Sequence, residues 1–575
     1  MNPAIDTYVI VIFSVFIMII GFQFSRTGRN LKSFFAGGEA VPWFIGGLSL
    51  FMSFFSAGTF VAWGSIAYKY GWVAITIQWT MCIAGIIVGF LIAPKWKATG
   101  NLTAAEFIKE RLGEKVQKSF IYIFMFVSLF IKGSVLYSVS RLVSSSLDFP
   151  LMPTTLVLGI CMIAYTAVGG LWAVMVTDIL QFVILTAAVF IIIPLVFKEA
   201  GGVDQFLAKV PDDFFNVFNG EYTWAFMLAF AMYHIFYIGG NWTFVQRYTS
   251  VDTPKSASKV AFLFAGLYIV SPVLWMIPPM VYQSINPGLV GLETENAYLM
   301  VCKQVLPAGL MGLMLTGMYF STSASANTAL NVVSAVFTND IYKGTYNPNA
   351  SDKKLMQVAR ISSWLFGFGM IIIGLMVPYI GGIVELTLSI GAITGGPLLA
   401  PPIWALFSKR LNGRATIIIT VVSLSVNLLF KIILPLVTGL KLSRAQEMLV
   451  GVLLPALMLA AYELYARNKG LISEEYLAYQ QMRKTRKEQA LAVTNEEAYE
   501  IKKQNKFGLN VISFSLLFIA LLMFILSLVT SKGGVVVGSI SVVILLSAFI
   551  PYFKAKKIAL VREKIVEERK LPQRL

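Results

Sequence analysis

Residues 321–331 read STSASANTALN, inside a long apolar run, GLMGLMLTGMYFSTSASANTALNVVSAVFTNDIY. Hydroxyl or amide side chains stand at Ser321, Thr322, Ser323, Ser325, Asn327, Thr328 and Asn331. At helical spacing Ser321, Ser325 and Thr328 share one face. A row of neutral oxygens can ligate a hard cation such as sodium, since hard ions prefer oxygen donors. It can equally bond back to carbonyls one turn earlier and glue helices together. Residue types alone leave both readings open.

Ionisable side chains inside the apolar runs are few: Lys132, Arg141, Asp178, His234, Glu385 and Lys431. Each costs about 2.5–3.5 kcal/mol at membrane depth on insertion scales, which makes each a candidate for function. Lys431 and Arg141 fall toward predicted helix ends, where a long stem can carry its charge to the interface. Asp178 lies about one turn into a predicted helix, either as a carboxylate favoured by the helix dipole or as a cation ligand. His234, the single histidine, stands about two turns before a Gly-Gly pair. Nucleophilic catalysis needs a nucleophile with a base in reach, and the chain carries no GxSxG, HExxH or phosphate-binding loop. The expectation is a protein that is not an enzyme and that draws energy from an ion gradient. Cys82, Cys161 and Cys302 lack CxxC spacing and read as packing residues.

These residues must be positioned by membrane helices. Only 13% of the 575 residues are charged, and the mean hydropathy is +0.74; soluble chains average about 25% charged. About fifteen segments are long and apolar enough to span a bilayer as helices, and strand-type alternation is missing. The fold class is therefore an all-α polytopic membrane protein, with the lipid bilayer as its surroundings. The net charge of +17 would suit nucleic acid if it were patchy. Instead most Lys and Arg sit in alternate loops, among them KWKATGNLTAAEFIKERLGEKVQK, QRYTSVDTPKSASK, SKRLNGR and residues 467–506. That asymmetry predicts cytoplasmic placement for these loops, an outside N-terminus and an inside C-terminus, with no nucleic-acid partner. The first apolar segment, 6–24, lacks a basic n-region and a cleavage site, and reads as a retained helix.

Two hydrophobic blocks, 43–197 and 222–408, each read as five spans. In each, the first helix is interrupted by small or polar residues: LSLFMSFFSAGTF in one, HIFYIGGNWTF in the other. An odd number of spans inverts one block relative to the other. Matched broken helices in inverted halves point to a secondary transporter with a midplane site; the alternative is that Gly and Ser merely permit close packing. The expected organisation is an N-terminal helix and loop (1–42), a transport core (43–410), peripheral helices (411–466), a charged, solvated cytoplasmic segment (467–506), and two C-terminal helices with a basic tail (507–575).

Several segments, in this order and spacing, resemble the sodium:solute symporter family, which includes bacterial galactose, proline and sialic acid transporters. They are SFFAGGEAVPWFIGGLSLFMSFFSAGTFVAWGSIAYKYGW, LTAAEFIKERLG, GGLWAVMVTDILQF, NWTFVQRYTS, LPAGLMGLMLTGMYFSTSASANTALNVVSAVFTNDIY and LFSKRLNGRA. The similarity runs from about residue 6 to residue 470. It implies a LeuT-like five-plus-five inverted repeat, with one extra N-terminal and about four extra C-terminal helices. The implied activity is Na+-coupled uptake of a small polar solute across the plasma membrane by alternating access.

The resemblance also implies sites. The main sodium site falls on backbone carbonyls of Met52, Phe55 and Ser321 and on the paired hydroxyl positions Ala324 and Ser325. Ala324 departs from the Ser or Thr usual there, which removes one side-chain oxygen. A second sodium would fall on Asp178, Asn327 and Thr328. Substrate positions fall on Ser56, Thr59, Gln78, His234 and Tyr237, with Tyr237 at the inner-gate aromatic position, and Phe54 stands where a small or polar residue is usual. Lys132 lies near the position where sialic acid transporters place an arginine that meets the substrate carboxylate. The solute is thus expected to be a sugar, an acidic sugar or another carboxylate. The alternatives are proton coupling through Glu385 or Asp178, and a solute sensor that does not transport.

Overall fold

The structure, a computed structural model, describes residues 3–25, 41–101, 103–147, 149–165, 171–338, 342, 346–347, 349–489, 495–530 and 533–570. Among them the only strand-like pairing is an isolated bridge between Asn219 and Tyr222. Ten helices among the described residues are long and apolar enough to cross a membrane, with shorter apolar helices such as Trp43–Ser53 and Trp224–Gly240 beside them.

Helix α1 (Pro3–Ser25) precedes the first repeat. That repeat begins with two half-helices, α2 (Trp43–Ser53) and α3 (Gly64–Tyr70), joined by residues 54–58 and a wide turn over Thr59–Trp63. There follow α4 (Val73–Ile87), continued by α5 (Ala93–Thr99); the short α6 (Ala104–Leu112); and α7 (Glu114–Leu147), α8 (Leu151–Tyr165) and α9 (Leu171–Glu199). After α10 (Val203–Lys209) the second repeat starts with another half-helix pair, α11 (Trp224–Gly240) and α12 (Trp242–Thr249). It continues through α13 (Pro254–Ile285), the short α14 (Ala297–Val305), α15 (Leu310–Val336), α16 (Asp352–Met376) and α17 (Gly382–Ala405). Beyond the repeats lie α18 (Gly413–Leu428), α19 (Leu434–Thr438), α20 (Arg444–Asn468), α21 (Glu474–Gln489), α22 (Asn495–Val529) and α23 (Gly534–Lys570). This is a LeuT-like five-plus-five inverted repeat with one extra span before it and four after.

The repeats interlock rather than stack side by side. Helix α13 of the second packs on α2 and α4 of the first, and α7 of the first packs on α15 and α16 of the second. At the crossing, the rings of Phe51, Phe54, Phe264, Tyr268 and Trp275 contact one another. Lipid has no hydrophobic drive to hold helices together, so close backbone approach matters. At Gly451 of α20 an added Cβ would stand 1.9 Å from the Ala392 carbonyl of α17, and only glycine fits. Large apolar side chains such as Phe90, Leu365 and Phe514 remain exposed, as expected where the solvent is hydrocarbon.

The helix α15, which carries STSASANTALN, begins at Leu310, separated from α14 by Pro307 and Gly309 (φ 85°). Two expectations change. Within the charged segment, α21 is not freely solvated: its Tyr479 is 5% exposed. Lys431 does not snorkel, for its ammonium bonds Glu385 at 2.8 Å and Glu447 at 2.8 Å. The Glu447 carboxylate is at the start of α20, whose first turn it occupies.

Candidate functional site

The first break is held by its own short side chains. The Thr59 hydroxyl donates to the Phe54 carbonyl at 3.2 Å, and Ser56 Oγ accepts from the Gly58 N–H at 3.2 Å. The second break is a single residue. Asn241 ends α11 and caps α12, its Oδ1 accepting from the Thr243 N–H at 3.0 Å. The adjacent Gly239 and Gly240 are still helical, and they allow close packing: a Cβ on Gly240 would lie 2.9 Å from the Leu399 carbonyl of α17. The packing reading therefore holds for the glycines, while the break itself belongs to Asn241.

Between the breaks lies a cavity of about 210 Å³. Five of the six expected substrate residues, Ser56, Thr59, Lys132, His234 and Tyr237, line it. The sixth, Gln78, is buried on α4 with its amide donating to the Ala74 carbonyl at 3.1 Å, and it does not reach the wall. Sequence reasoning missed Ser134, Thr387, Thr394 and Asn241, which add oxygens to the wall. No carboxylate is among the lining residues, and Lys132 is their one ammonium. His234 Nδ1 lies 2.7 Å from the Thr80 hydroxyl, which donates its one proton to the Ile77 carbonyl at 2.6 Å. With the Thr80 proton so directed, Nδ1 is the donor of the pair. On the α2 and α12 side the cavity is closed by aromatic rings. Phe54 stacks on Phe244 at 4.3 Å and meets Tyr237 edge-on at 5.5 Å.

Of the residues singled out for sodium, Ser321 and Phe55 meet at the first break. The Ser321 hydroxyl donates to the Phe55 carbonyl at 2.8 Å, and Thr322 Oγ1 accepts from the Ala57 N–H at 3.2 Å. Met52 and Phe55 are both buried there. Ala324, Ser325, Asn327 and Thr328 continue the backbone of α15, but their side chains lie outside the described residues.

Asp178 is two turns into α9 rather than one, between α2 and α12. Its Oδ2 accepts from the Ser49 hydroxyl at 2.7 Å and lies 3.7 Å from Arg247 Nη2. Arg247 Nε also reaches Ser49 Oγ at 3.2 Å, and all three residues are buried. Arg247 was missed because, in QRYTSVDTPKSASK, it reads as the first charge of a basic loop.

Glu385 belongs to a different cluster, on the opening turn of α17. Its carboxylate pairs with Lys431 at 2.8 Å and with Arg444 at 3.1 Å, and Arg444 also pairs with Glu221 at 2.6 Å.

The model of the sodium:solute symporter family matches residues 34–422. The sodium/glucose cotransporter of Vibrio parahaemolyticus is 27% identical over 470 residues, covering 74% of this chain and 85% of that one. The sodium/sialic acid symporter of Proteus mirabilis is 25% identical over 427 residues, covering 71% and 85%. The solved structure of a Na+-coupled sialic acid symporter, in a substrate-bound outward-open state, aligns with a TM-score of 0.66 at 20% identity, over 80% of this chain and 97% of that one. Matched by the family model over more than half its length, the chain belongs to the sodium:solute symporter family.

Proposed function

We propose that the protein is a sodium-coupled symporter that imports a small polar organic solute bearing a carboxylate, an acidic sugar being the leading class. The observation that carries this reading is the charge of the cavity: Lys132 lines it and no carboxylate does. An ammonium in a confined site strengthens hydrogen bonds to an anion. The N-terminus of α12, at Asn241 on the cavity wall, adds a partial positive charge of the kind that half-helices aim at anionic substrate groups. The cavity volume of about 210 Å³ lies below the roughly 300–1,000 Å³ of sites for drug-sized ligands, which suits a small solute. Ser56, Thr59, His234 and Tyr237 are its hydrogen-bonding partners in this reading; Gln78 would have to rearrange to join them.

Sodium is assigned to Met52, Phe55 and Ser321 at the first break, with the helix positions Ala324 and Ser325. A second sodium is assigned to Asp178, Asn327 and Thr328. Residues 43–410 form the transport core. The protein would sit in the cell's inner, plasma membrane with its N-terminus outside and its C-terminus in the cytoplasm, as the basic loops require. Proton coupling through Glu385 or Asp178 is disfavoured, because each carboxylate faces a cation within the protein.

Uptake into proteoliposomes tests the reading, with sialic acid, galactose and proline as probes. We expect accumulation of the carboxylate-bearing sugar that needs inward sodium and is lost when choline replaces sodium at fixed pH. Accumulation unaffected by that replacement would reject sodium coupling. Saturable binding without accumulation would mark a sensor.

A further inference from the structure

The charged helix α21 is the part of the chain that this function leaves without a role. It lies against α6 and against the turn between α17 and α18. Tyr479 packs on Phe107 of α6 at 5.8 Å, and Arg486 pairs with Glu110 of α6 at 2.5 Å. Arg483 donates to the Ala98 carbonyl in the last turn of α5. At the other end of α21, the Ser473 N–H donates to the Lys409 carbonyl at 3.1 Å, and Glu475 accepts from the Gly413 N–H at 3.3 Å. One helix thus ties the end of α5 and α6, in the first repeat, to the far end of α17, in the second.

The contacts continue inward. Phe107 packs on Trp96 of α5 at 5.1 Å. The buried Trp96 indole donates to the Gly239 carbonyl at 2.7 Å, at the break in the second broken helix. The next residue, Lys97, donates through Nζ to the Thr249 carbonyl at 2.9 Å, at the last residue of α12. So α5 holds the second broken helix on both sides of its break, at Gly239 near the end of α11 and at Thr249, the last residue of α12. Phe244 of α12 is one of the rings that close the cavity on this side. Opening on this side requires α12 to leave those rings, and the grip of α5 resists that motion.

We propose that α21 is a docked clamp that holds α12 closed on its side of the cavity, with Trp96 as the positioning residue through which it acts. The clamp is an electrostatic and aromatic latch on a two-state element, and its strength sets the balance between the closed and open forms on that side. Its ion pair has the Arg486 side chain 41% exposed, so salt and point substitutions can loosen it without disturbing the core.

The test uses the full chain with its native cysteines replaced and spin labels at Asp252→Cys and Lys409→Cys, one after α12 and one after α17. Pulsed dipolar distances are then read in sodium-free nanodiscs. Arg486→Glu should raise the population of longer distances about threefold, a shift set by the lost differential interaction. The charge swap Glu110→Arg with Arg486→Glu should restore the parent distribution. Trp96→Phe, which keeps the ring but removes the N–H donor, should widen the distances too, and the swap should not reverse it. Arg486→Gln serves as the same test should Arg486→Glu fail to fold. The proposal is overturned if the Arg486 variants reproduce the parent distribution, if the swap does not restore it, or if Trp96→Phe leaves it unchanged.

Discussion

Two sets of charged side chains belong to the apolar helices or their ends, and they differ in what faces them. Around the start of α17, Glu385, Glu447 and Glu221 meet Lys431 and Arg444 within one connected network. The cavity wall that includes Lys132 carries hydroxyls, a histidine, the Asn241 amide and aromatic rings, with no carboxylate among the lining residues. The first set is a network of ion pairs that joins α17 to the turn after α18 and to α20. The second places one ammonium on the wall of a cavity that carries no carboxylate. Depth in the membrane singled out Glu385, Lys431 and Lys132 equally, so depth alone does not separate a structural charge from a functional one. The charge that faces it does. Asp178 falls between the two cases, as a buried carboxylate 3.7 Å from one cation, Arg247 of the half-helix α12.

The sharpest way to break this comparison is Arg247→Ala. Removing one member of a buried pair leaves the other uncompensated and costs about 3–5 kcal/mol. Thermal unfolding of the purified protein in choline should show a large loss, and the double variant Asp178→Asn/Arg247→Ala should regain much of it. Sodium should stabilise the Arg247→Ala variant more than the parent, since an ion at Asp178 would replace the missing guanidinium. A loss that neither sodium nor the second substitution relieves would mean that Arg247 acts through its bonds to Ser49 and the Thr243 carbonyl instead.

Lys132→Ala should leave stability nearly unchanged and act on transport. Hydrogen bonds to charged groups contribute about 1.5–3 kcal/mol, so the apparent affinity for a carboxylate-bearing solute should fall roughly 10- to 100-fold. A neutral analogue should lose less than about twofold. Competition uptake in proteoliposomes measures both, and an unaltered preference for the anion would remove Lys132 from the site.

The fold was largely legible in the chain because hydropathy and span parity are properties of whole segments. Fifteen apolar runs, two matched interruptions and the loop charges needed no knowledge of contacts. Legibility failed where a partner is distant in sequence. Ser49, Asp178 and Arg247 form one buried cluster, yet Arg247 looks like a loop residue when read beside its neighbours. Gln78 shares a helix with Met81, which lines the cavity, but its amide turns back to Ala74. The docking of α21 was invisible for the same reason. A charged, helix-forming stretch carries no sign that one tyrosine, Tyr479, is buried against Phe107.

Glu385→Gln probes the ion-paired set and should do less. The pair is partly exposed, with the Glu385 side chain at 32% and Lys431 at 23%, and exposed pairs are worth about 1 kcal/mol or less. Thermal stability should drop slightly, while sodium dependence and the pH profile of uptake stay as in the parent. A variant that lost uptake driven by a proton gradient would instead make Glu385 a proton carrier.

The smallest and most discriminating change is Ser321→Ala. The Ser321 hydroxyl occupies the Phe55 carbonyl at 2.8 Å in a fully packed environment. If that carbonyl is a sodium ligand, the ion must compete with the hydroxyl for it. Deleting the hydroxyl then removes a competitor worth about 0.5–1 kcal/mol net. The half-saturating sodium concentration should fall about two- to fivefold in ion-dependent uptake. Were the hydroxyl itself a ligand, the same substitution would raise that concentration. The direction of one titration thus decides whether the oxygen row on α15 opposes the break or completes its ion site.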